Sequence, residues 1–297
     1  MTTLAKLHCD LSSSPHYMGS PSVSNNIMWI RDSRGDIVAE KTSKKEFVGV
    51  VVGRVDPQKL NCGPEGNHIR ADISPLARAK FQFQLGAAFE SAFTQDFDRV
   101  IEILESLQGK IAETGDRRNM IVSAANCKLI RFTTNVFERR KKPIPKHAVY
   151  LEDLENPDEE KKEETPVMDT ETEEWPIPTK HKAEFESMKF ENMACPLRVY
   201  RDNIFVEPGD VNEALTGAMV EVYFTIRHFY MREKKFDTFQ ADIQQIKIVK
   251  PGASIATLGF KRGNARDGPL EIVNTAGTGK DKEERRSDKR ARTDGEK

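Results

Sequence analysis

Residues 217–250, GAMVEVYFTIRHFYMREKKFDTFQADIQQIKIVK, constrain the fold more than any other stretch of the 297-residue chain. In the first half Val220, Val222, Phe224 and Ile226 share one parity and Glu221, Tyr223, Thr225, Arg227 and Phe229 the other, the period of a strand with one face in a core. In the second half Phe239, Ala241 and Ile243 share a parity, and Ile246 and Ile248 take the opposite one. The pattern predicts two long strands joined by a basic, aromatic connection. A period-two pattern changes parity only when a residue is inserted, so a β-bulge is expected at Gln244 and Gln245. Such a bulge bends a strand strongly, as closure of a small barrel requires.

The polar parity of the first strand carries Tyr223, Arg227 and Phe229. Rings on a surface bury apolar area only against a ligand or a partner, and rings beside cations suit stacked bases and a phosphate backbone. Lys234, Lys235 and Phe239 continue the series, followed by Lys247. A second cluster lies upstream: Lys128, Arg131, Phe132, Arg139, Arg140 and Lys141. The candidate nucleic-acid-binding residues are therefore Tyr223, Arg227, Phe229, Lys234, Lys235, Phe239, Lys247, Arg131, Phe132, Arg139, Arg140 and Lys141. Phe224 shares the parity of Val220 and Val222 and is expected in the core, as is Trp29.

The formal net charge of -1 conceals an uneven distribution. Residues 117–146 hold about nine Lys or Arg against one acid, residues 217–266 about nine against four, and residues 152–174 about twelve acids against two lysines. The chain thus combines basic segments of strand character with an acidic stretch. With 37% hydrophobic residues it can bury one large core or two modest ones, and 31% charged residues leave room for solvated tails.

Other elements follow from the same rules. NIMWI and DIVAE around Asp32-Ser33-Arg34-Gly35 predict a hairpin, and FVGVVVGRV from Phe47 to Val55 a strand buried on both faces, with Gly49 and Gly53 marking a bend or a close backbone approach. Ser74-Pro75 ahead of LARAKFQFQLGAAFESAF predicts a helix. Thr94 is expected to cap a second one, whose Phe97, Val100, Ile101, Leu104, Leu107 and Ile111 recur at helical spacing, with Gly115 ending it. Strands resume over 119–137, and Leu197 to Val206 reads as one strand. Val211 to Leu215 reads as a loop or short turn.

Four separated cysteines without a CxxC pair indicate neither a zinc ribbon nor a redox dithiol and point to a reducing compartment. No window has the length and apolarity of a membrane span, and no secretory leader is recognised. The six histidines, His8, His16, His68, His147, His181 and His228, show no metal-ligand spacing, so no metal and no cofactor are expected. No nucleophile elbow, phosphate loop, HExxH or dinucleotide fingerprint occurs. A non-catalytic protein is the expectation.

LTGAMVEVYFTIRHFYMREKKFDTFQADIQQIKIVKPG resembles the C-terminal half of the OB-fold single-stranded-DNA-binding proteins of podophages and large DNA viruses. Gly217, Val220, Val222 and Phe224 match a glycine followed by a V-x-V-x-F strand; Ala241, Ile243, Ile246, Ile248, Val249, Lys250 and Gly252 match the closing strand. The match covers about one eighth of the chain. It implies a coat for exposed single strands in replication, recombination or repair, with replication or recombination proteins as further partners. The family's acidic tail with a terminal aromatic is replaced here by RRSDKRARTDGEK, and the acidic stretch around Glu152 to Glu174 is a candidate for the same competing role.

These readings combine into an α+β protein: an OB-like antiparallel β-barrel with packed helices, bearing a disordered insert and tails. Residues 1–25 are expected as a disordered arm, 26–262 as a composite domain with an acidic disordered insert at 150–180, and 263–297 as a disordered tail. Arg285, Arg286, Lys289, Arg290 and Arg292 form a candidate nuclear-import signal, so a nuclear or intracellular viral replication site is expected. The alternative function is a virion-type structural or scaffold protein whose aromatic face is an oligomer interface.

Overall fold

In the computed structural model the described residues are 3–33, 35–124, 127–145 and 167–252. The chain begins with two short helices, α1 (Leu4–Ser12) and α2 (Val23–Asn26), then a hairpin of β1 (Ile27–Asp32) and β2 (Gly35–Glu40). β3 (Gly49–Val55) and β4 (Lys80–Gly86) precede the long helix α3 (Ser91–Ile111). Four strands follow: β5 (Arg117–Arg118), β6 (Ile121–Ala124), β7 (Cys127–Asn135) and β8 (Phe137–Arg139). After α4 (Thr170–Glu173) and α5 (Lys182–Met188) come β9 (Asn192–Ala194), β10 (Val199–Arg201), β11 (Ile204–Phe205), α6 (Val211–Leu215) and the long pair β12 (Met219–Met231) and β13 (Phe236–Lys250). Among the described residues no helix is long and apolar enough to cross a membrane.

The protein is a mixed α+β fold dominated by one sheet. Within it, β12 pairs with β3, β3 with β4, β4 with β7, β7 with β13, and β13 again with β12. This cycle of pairings returns to its start, and only its β7–β13 contact is parallel. The parity switch in β13 has the expected cause: Tyr223 lies opposite Gln245 and Phe224 opposite Ile243, which leaves Gln244 as the inserted residue. Both halves of the strand thereby keep their apolar residues on the core side. At Gly53 a Cβ would stand 2.5 Å from the Gly86 carbonyl oxygen, so the glycine lets β3 and β4 approach.

The inward parity supplies one continuous core. Val220, Val222, Phe224 and Ile226 meet Phe239, Ala241, Ile243 and Ile246, with Phe81, Phe83 and Leu85 from β4, Ile130 and Phe132 from β7, and the apolar stripe of α3. Phe132 stacks on Phe83 at 5.2 Å and meets Phe224 edge-on at 5.1 Å, and Phe239 packs beside His228 at 4.7 Å. Phe132 and Phe239 are thus core residues and not stacking platforms. Their parity was the decisive property: each follows the apolar series of its own strand. Trp29 packs against the core, and its indole N–H donates to the Leu107 carbonyl at 2.9 Å.

Several expectations are corrected. The segment after Ser74-Pro75 forms a single 3-10 turn, Leu76–Arg78, and then strand β4, because Phe81, Phe83 and Leu85 alternate with Lys80, Gln82 and Gln84 at the strand period. Thr94 lies inside α3, where its hydroxyl donates to the carbonyls of Ala88 and Glu90, and the helix ends at Ile111. Leu197 to Val206 is a small hairpin, β10 and β11, turned at Asp202 and Asn203 with φ of 51° and 64°. The Val211 to Leu215 turn is a short helix.

The N-terminal arm is also ordered from Thr3 onward. Tyr17, Met18 and Val23 are buried, Tyr17 bridges to Val50, and its hydroxyl donates to Asp96 at 2.8 Å. Of the acidic insert, residues 167–180 are structured: Trp175 is buried and its N–H donates to the Pro64 carbonyl, while Asp169 caps α4. The rest of the insert in 150–166, the tail 263–297 and the import-signal residues lie outside the described residues.

At the far end of β13 the buried Asp237 joins two elements. It accepts hydrogen bonds from the Glu113 and Thr114 amides, the Thr114 hydroxyl and the His228 ring. Burial pushes this carboxyl up, but the hydrogen bonds outweigh it and hold the group below the usual carboxylate range. Its stabilising contribution is therefore complete above the ordinary carboxylate pKa of about 4 and is lost as pH falls through the depressed folded value. Urea midpoints measured downward from neutral pH should fall in this range, and Asp237→Asn should be less stable at neutral pH but show a flatter acid limb. Phe132→Ala should cost about 3–5 kcal/mol in the same denaturation assay, as a core truncation does.

Candidate nucleic-acid interface

Register determines which side chains share the outer face of the β12–β13 ribbon. Opposite Glu221 on β12 stands Lys247 on β13, opposite Lys247 stands Tyr200 on β10, and opposite Tyr200 stands Phe205 on β11. Adjacent strands put these residues on one face. The row is closely coupled: Lys247 Nζ donates to the Tyr223 hydroxyl at 3.0 Å and lies 5.0 Å from its ring centroid, and Tyr200 and Phe205 are edge-to-face at 6.0 Å. One row along, Arg198 is exposed and reaches the Gln245 side chain. Arg198 and Arg201 have no acid partner among the described residues.

The anchor of this row is a buried carboxylate. Glu221 accepts a short hydrogen bond from the Tyr223 hydroxyl, which in turn accepts one from Lys247. Burial, then the bond to Glu221, pushes the Tyr223 hydroxyl up, and the bond to Tyr223 raises Lys247. Phenol and ammonium therefore both keep their protons at neutral pH. On its other side Tyr223 contacts the second apolar cluster, where Leu4, Leu7 and Leu11 of α1 lie with Tyr17, Val50, Val52 and Met219. The helix from the N-terminal arm thus covers part of the face that the sequence pattern leaves bare.

The predicted residues fall into three places. Tyr223 and Lys247 belong to the row just described. Phe229, Lys234 and Lys235 belong to the tip of the ribbon, where Arg232 is also exposed, Arg118 stacks over Phe236 at 4.0 Å, and the Phe229 ring lies against Gly35, whose φ of 130° and lack of a Cβ make the room. Arg139 and Lys141 are exposed but leave the main sheet, because β8 pairs with β9 in a separate two-stranded sheet. The two basic segments meet at two places on β13: beside β5, where Arg117 and Arg118 lie opposite Asp237 and Thr238, and beside β7, where the outward residues are Thr133 and Asp242.

Two other predicted cations are committed elsewhere, and a third is drawn in from the surface. Arg227 is held by Glu46 at 2.8 Å and Asp32 at 3.6 Å, which joins β12 to the first hairpin. Arg140 is nearly buried, paired to Asp169 at 2.5 Å and bonded to the Lys189 carbonyl. Arg131 is half-buried, with its Nε lacking a hydrogen-bond partner. Arg227 was read from its parity beside Tyr223 and Phe229, and Arg131 and Arg140 from their basic cluster; neither signal reports the distant carboxylates that hold Arg227 and Arg140.

Sequence reasoning missed Tyr200, Phe205 and Arg198. The signal was present: Asp202-Asn203 between Tyr-Arg and Ile-Phe is the dipeptide type that a two-residue hairpin turn with two positive φ values selects. Reading the span as one strand concealed that its two halves fold back beside each other.

A comparison with protein-family models finds no match, and one with curated proteins finds none. Among solved structures the chain is similar to gp2.5, a single-stranded DNA-binding protein encoded by bacteriophage T7, at 10% identity and a TM-score of 0.40, covering 70% of this chain and 94% of that one. It is also similar to the single-stranded DNA-binding protein of bacteriophage Enc34, at 9% identity and a TM-score of 0.36 over 81% and 97% of the two chains. A structure of the Enc34 protein in complex with single-stranded DNA matches at 8% identity and a TM-score of 0.35, over 77% and 98%. Each of these is a single-stranded DNA-binding protein of a bacteriophage.

Tyr223→Phe removes the donor on which the buried Glu221 depends. It should lower stability by about 1–3 kcal/mol, the cost of a buried acceptor left unsatisfied, measured by denaturant unfolding.

Proposed function

We propose that this chain is a non-catalytic protein that binds single-stranded DNA without sequence preference, in replication, recombination or repair. The observation that carries the reading is the row Tyr223, Lys247, Tyr200 and Phe205, with Arg198 beside it: rings and cations on one face across four adjacent strands. Aromatic faces accept every base at about 1–3 kcal/mol each, and cations add a salt-dependent phosphate term. We read the five-strand cycle as OB-like: in chain order its members pair 1-2-3-5-4-1, with strands 3 and 5 parallel, and the basic tip at 232–235 is its connection between strands 4 and 5. That connection is one of those with which OB-folds grip oligonucleotides.

The test is a binding titration of single-stranded, duplex and RNA oligonucleotides at several salt concentrations. Tyr200→Ala, Phe205→Ala and Lys247→Gln together should weaken single-strand binding at least about tenfold, the loss of two stacked rings. Arg232, Lys234 and Lys235 changed to Gln should flatten the slope of log K against log salt by about 2, the value for three phosphate contacts on a single strand. A folded triple variant of the row that binds like the parent would remove the proposal.

A second reading, an oligomer interface of a scaffold protein, is favoured by one feature. Ile204 is 71% exposed beside Phe205 on the edge strand β11, where apolar surface and an open strand edge coincide. Sedimentation of the parent and of Ile204→Lys decides it: a larger species that disperses in the variant, with no salt-sensitive strand binding, supports that reading.

A further inference from the structure

The fold brings together two histidines that stand 113 positions apart (181 minus 68). His68 belongs to the connection between β3 and β4, at the end of the turn Gly63–Gly66 that its own amide helps close by donating to Glu65. His181 ends the 3-10 turn Thr179–His181, and Glu184 follows in the first turn of α5. One ligand atom from each of His68, His181 and Glu184 lies within 4.8 Å of the others. The two rings are 4.5 Å apart at 71°.

Both histidines are buried, and three of their four ring nitrogens lack a hydrogen-bond partner. His68 Nδ1, His68 Nε2 and His181 Nε2 have no hydrogen bond among the described residues. His68 Nε2 does stand 3.2 Å from Glu184 Oε2, inside ion-pair distance, but without the alignment of a hydrogen bond. Leaving buried ring nitrogens unsatisfied is costly, because their lost hydration is not replaced. The other carboxylate oxygen, Oε1, accepts the Leu76 amide at 2.6 Å, which fixes the carboxylate toward the rings. Such an oriented carboxylate beside two unsatisfied imidazoles is the donor set of a three-ligand zinc site.

We propose that His68, His181 and Glu184 bind a zinc-type transition-metal dication, with solvent at the remaining position. The ion would satisfy nitrogens that the protein leaves orphaned and tie the segment following residue 166 to the β3–β4 connection. The buried Trp175, whose N–H donates to Pro64, ties the same two segments from the apolar side. Ligands 4.8 Å apart at most must draw in by about 1 Å to reach zinc bond lengths near 2.1 Å, a movement within reach of side-chain rotation.

The test uses the full chain stripped with a chelator and titrated with zinc chloride, read by calorimetry and by thermal melting. Equimolar binding is expected, with a rise in melting temperature and, with cobalt chloride instead, the visible absorption of a low-coordinate site. Glu184→Gln preserves shape while removing a charged ligand and should weaken zinc at least about tenfold, and His68→Ala should do the same. Circular dichroism in chelator confirms that each variant folds, and His181→Ala serves in place of either that does not. Absence of binding, equal affinity in the folded variants, or binding without thermal stabilisation would each overturn the assignment.

Discussion

The register of β12 against β13 is the constraint on which the other placements rest. With Phe224 opposite Ile243 and Tyr223 opposite Gln245, the extra residue at Gln244 turns the second half of β13 by one position. Without it, either Ile243 or Ile246 would face water, because a one-residue slip moves every later side chain to the other face. The same shift aligns Lys247 with Glu221 and, through β10, with Tyr200. Core and candidate interface are thus two sides of one pairing.

What the sequence made legible was whatever depends on local alternation. The first hairpin, β3, the helix α3 and the bulge all follow from the order of apolar and polar residues, since a strand or helix with one buried face must show that period. The reading failed at LARAKFQFQLG, where Pro75 and the Ala and Leu content speak for a helix and only the Phe81, Phe83, Leu85 alternation speaks for the strand. It failed again at residues 3–25, whose small polar residues disguise Tyr17 and Met18. Their order comes from Val50 and Asp96, partners far along the chain. Long-range partnership also hid the His68 and His181 encounter, which no spacing rule covers.

The candidate interface was legible in part for the same reason. Tyr223 and Lys247 lie on a regular ribbon and could be placed by parity, whereas Arg227 and Arg140 required knowledge of Glu46 and Asp169. Phe132 and Phe239 show that an aromatic in a basic neighbourhood takes its role from the side of the strand it occupies. Cross-strand neighbours decide the rest, and Tyr200 beside Lys247 is one that a linear reading cannot see.

The closure formed by β8 with β9 has a consequence for how this chain tolerates change. Phe137 pairs with Ala194, the Ile144 amide donates to the Phe190 carbonyl, and Arg140 grips Asp169, so both ends of the intervening stretch are clamped to one small platform. Losing the Arg140–Asp169 pair would therefore loosen two segments at once, because the same contact holds β8 and the residue that caps α4.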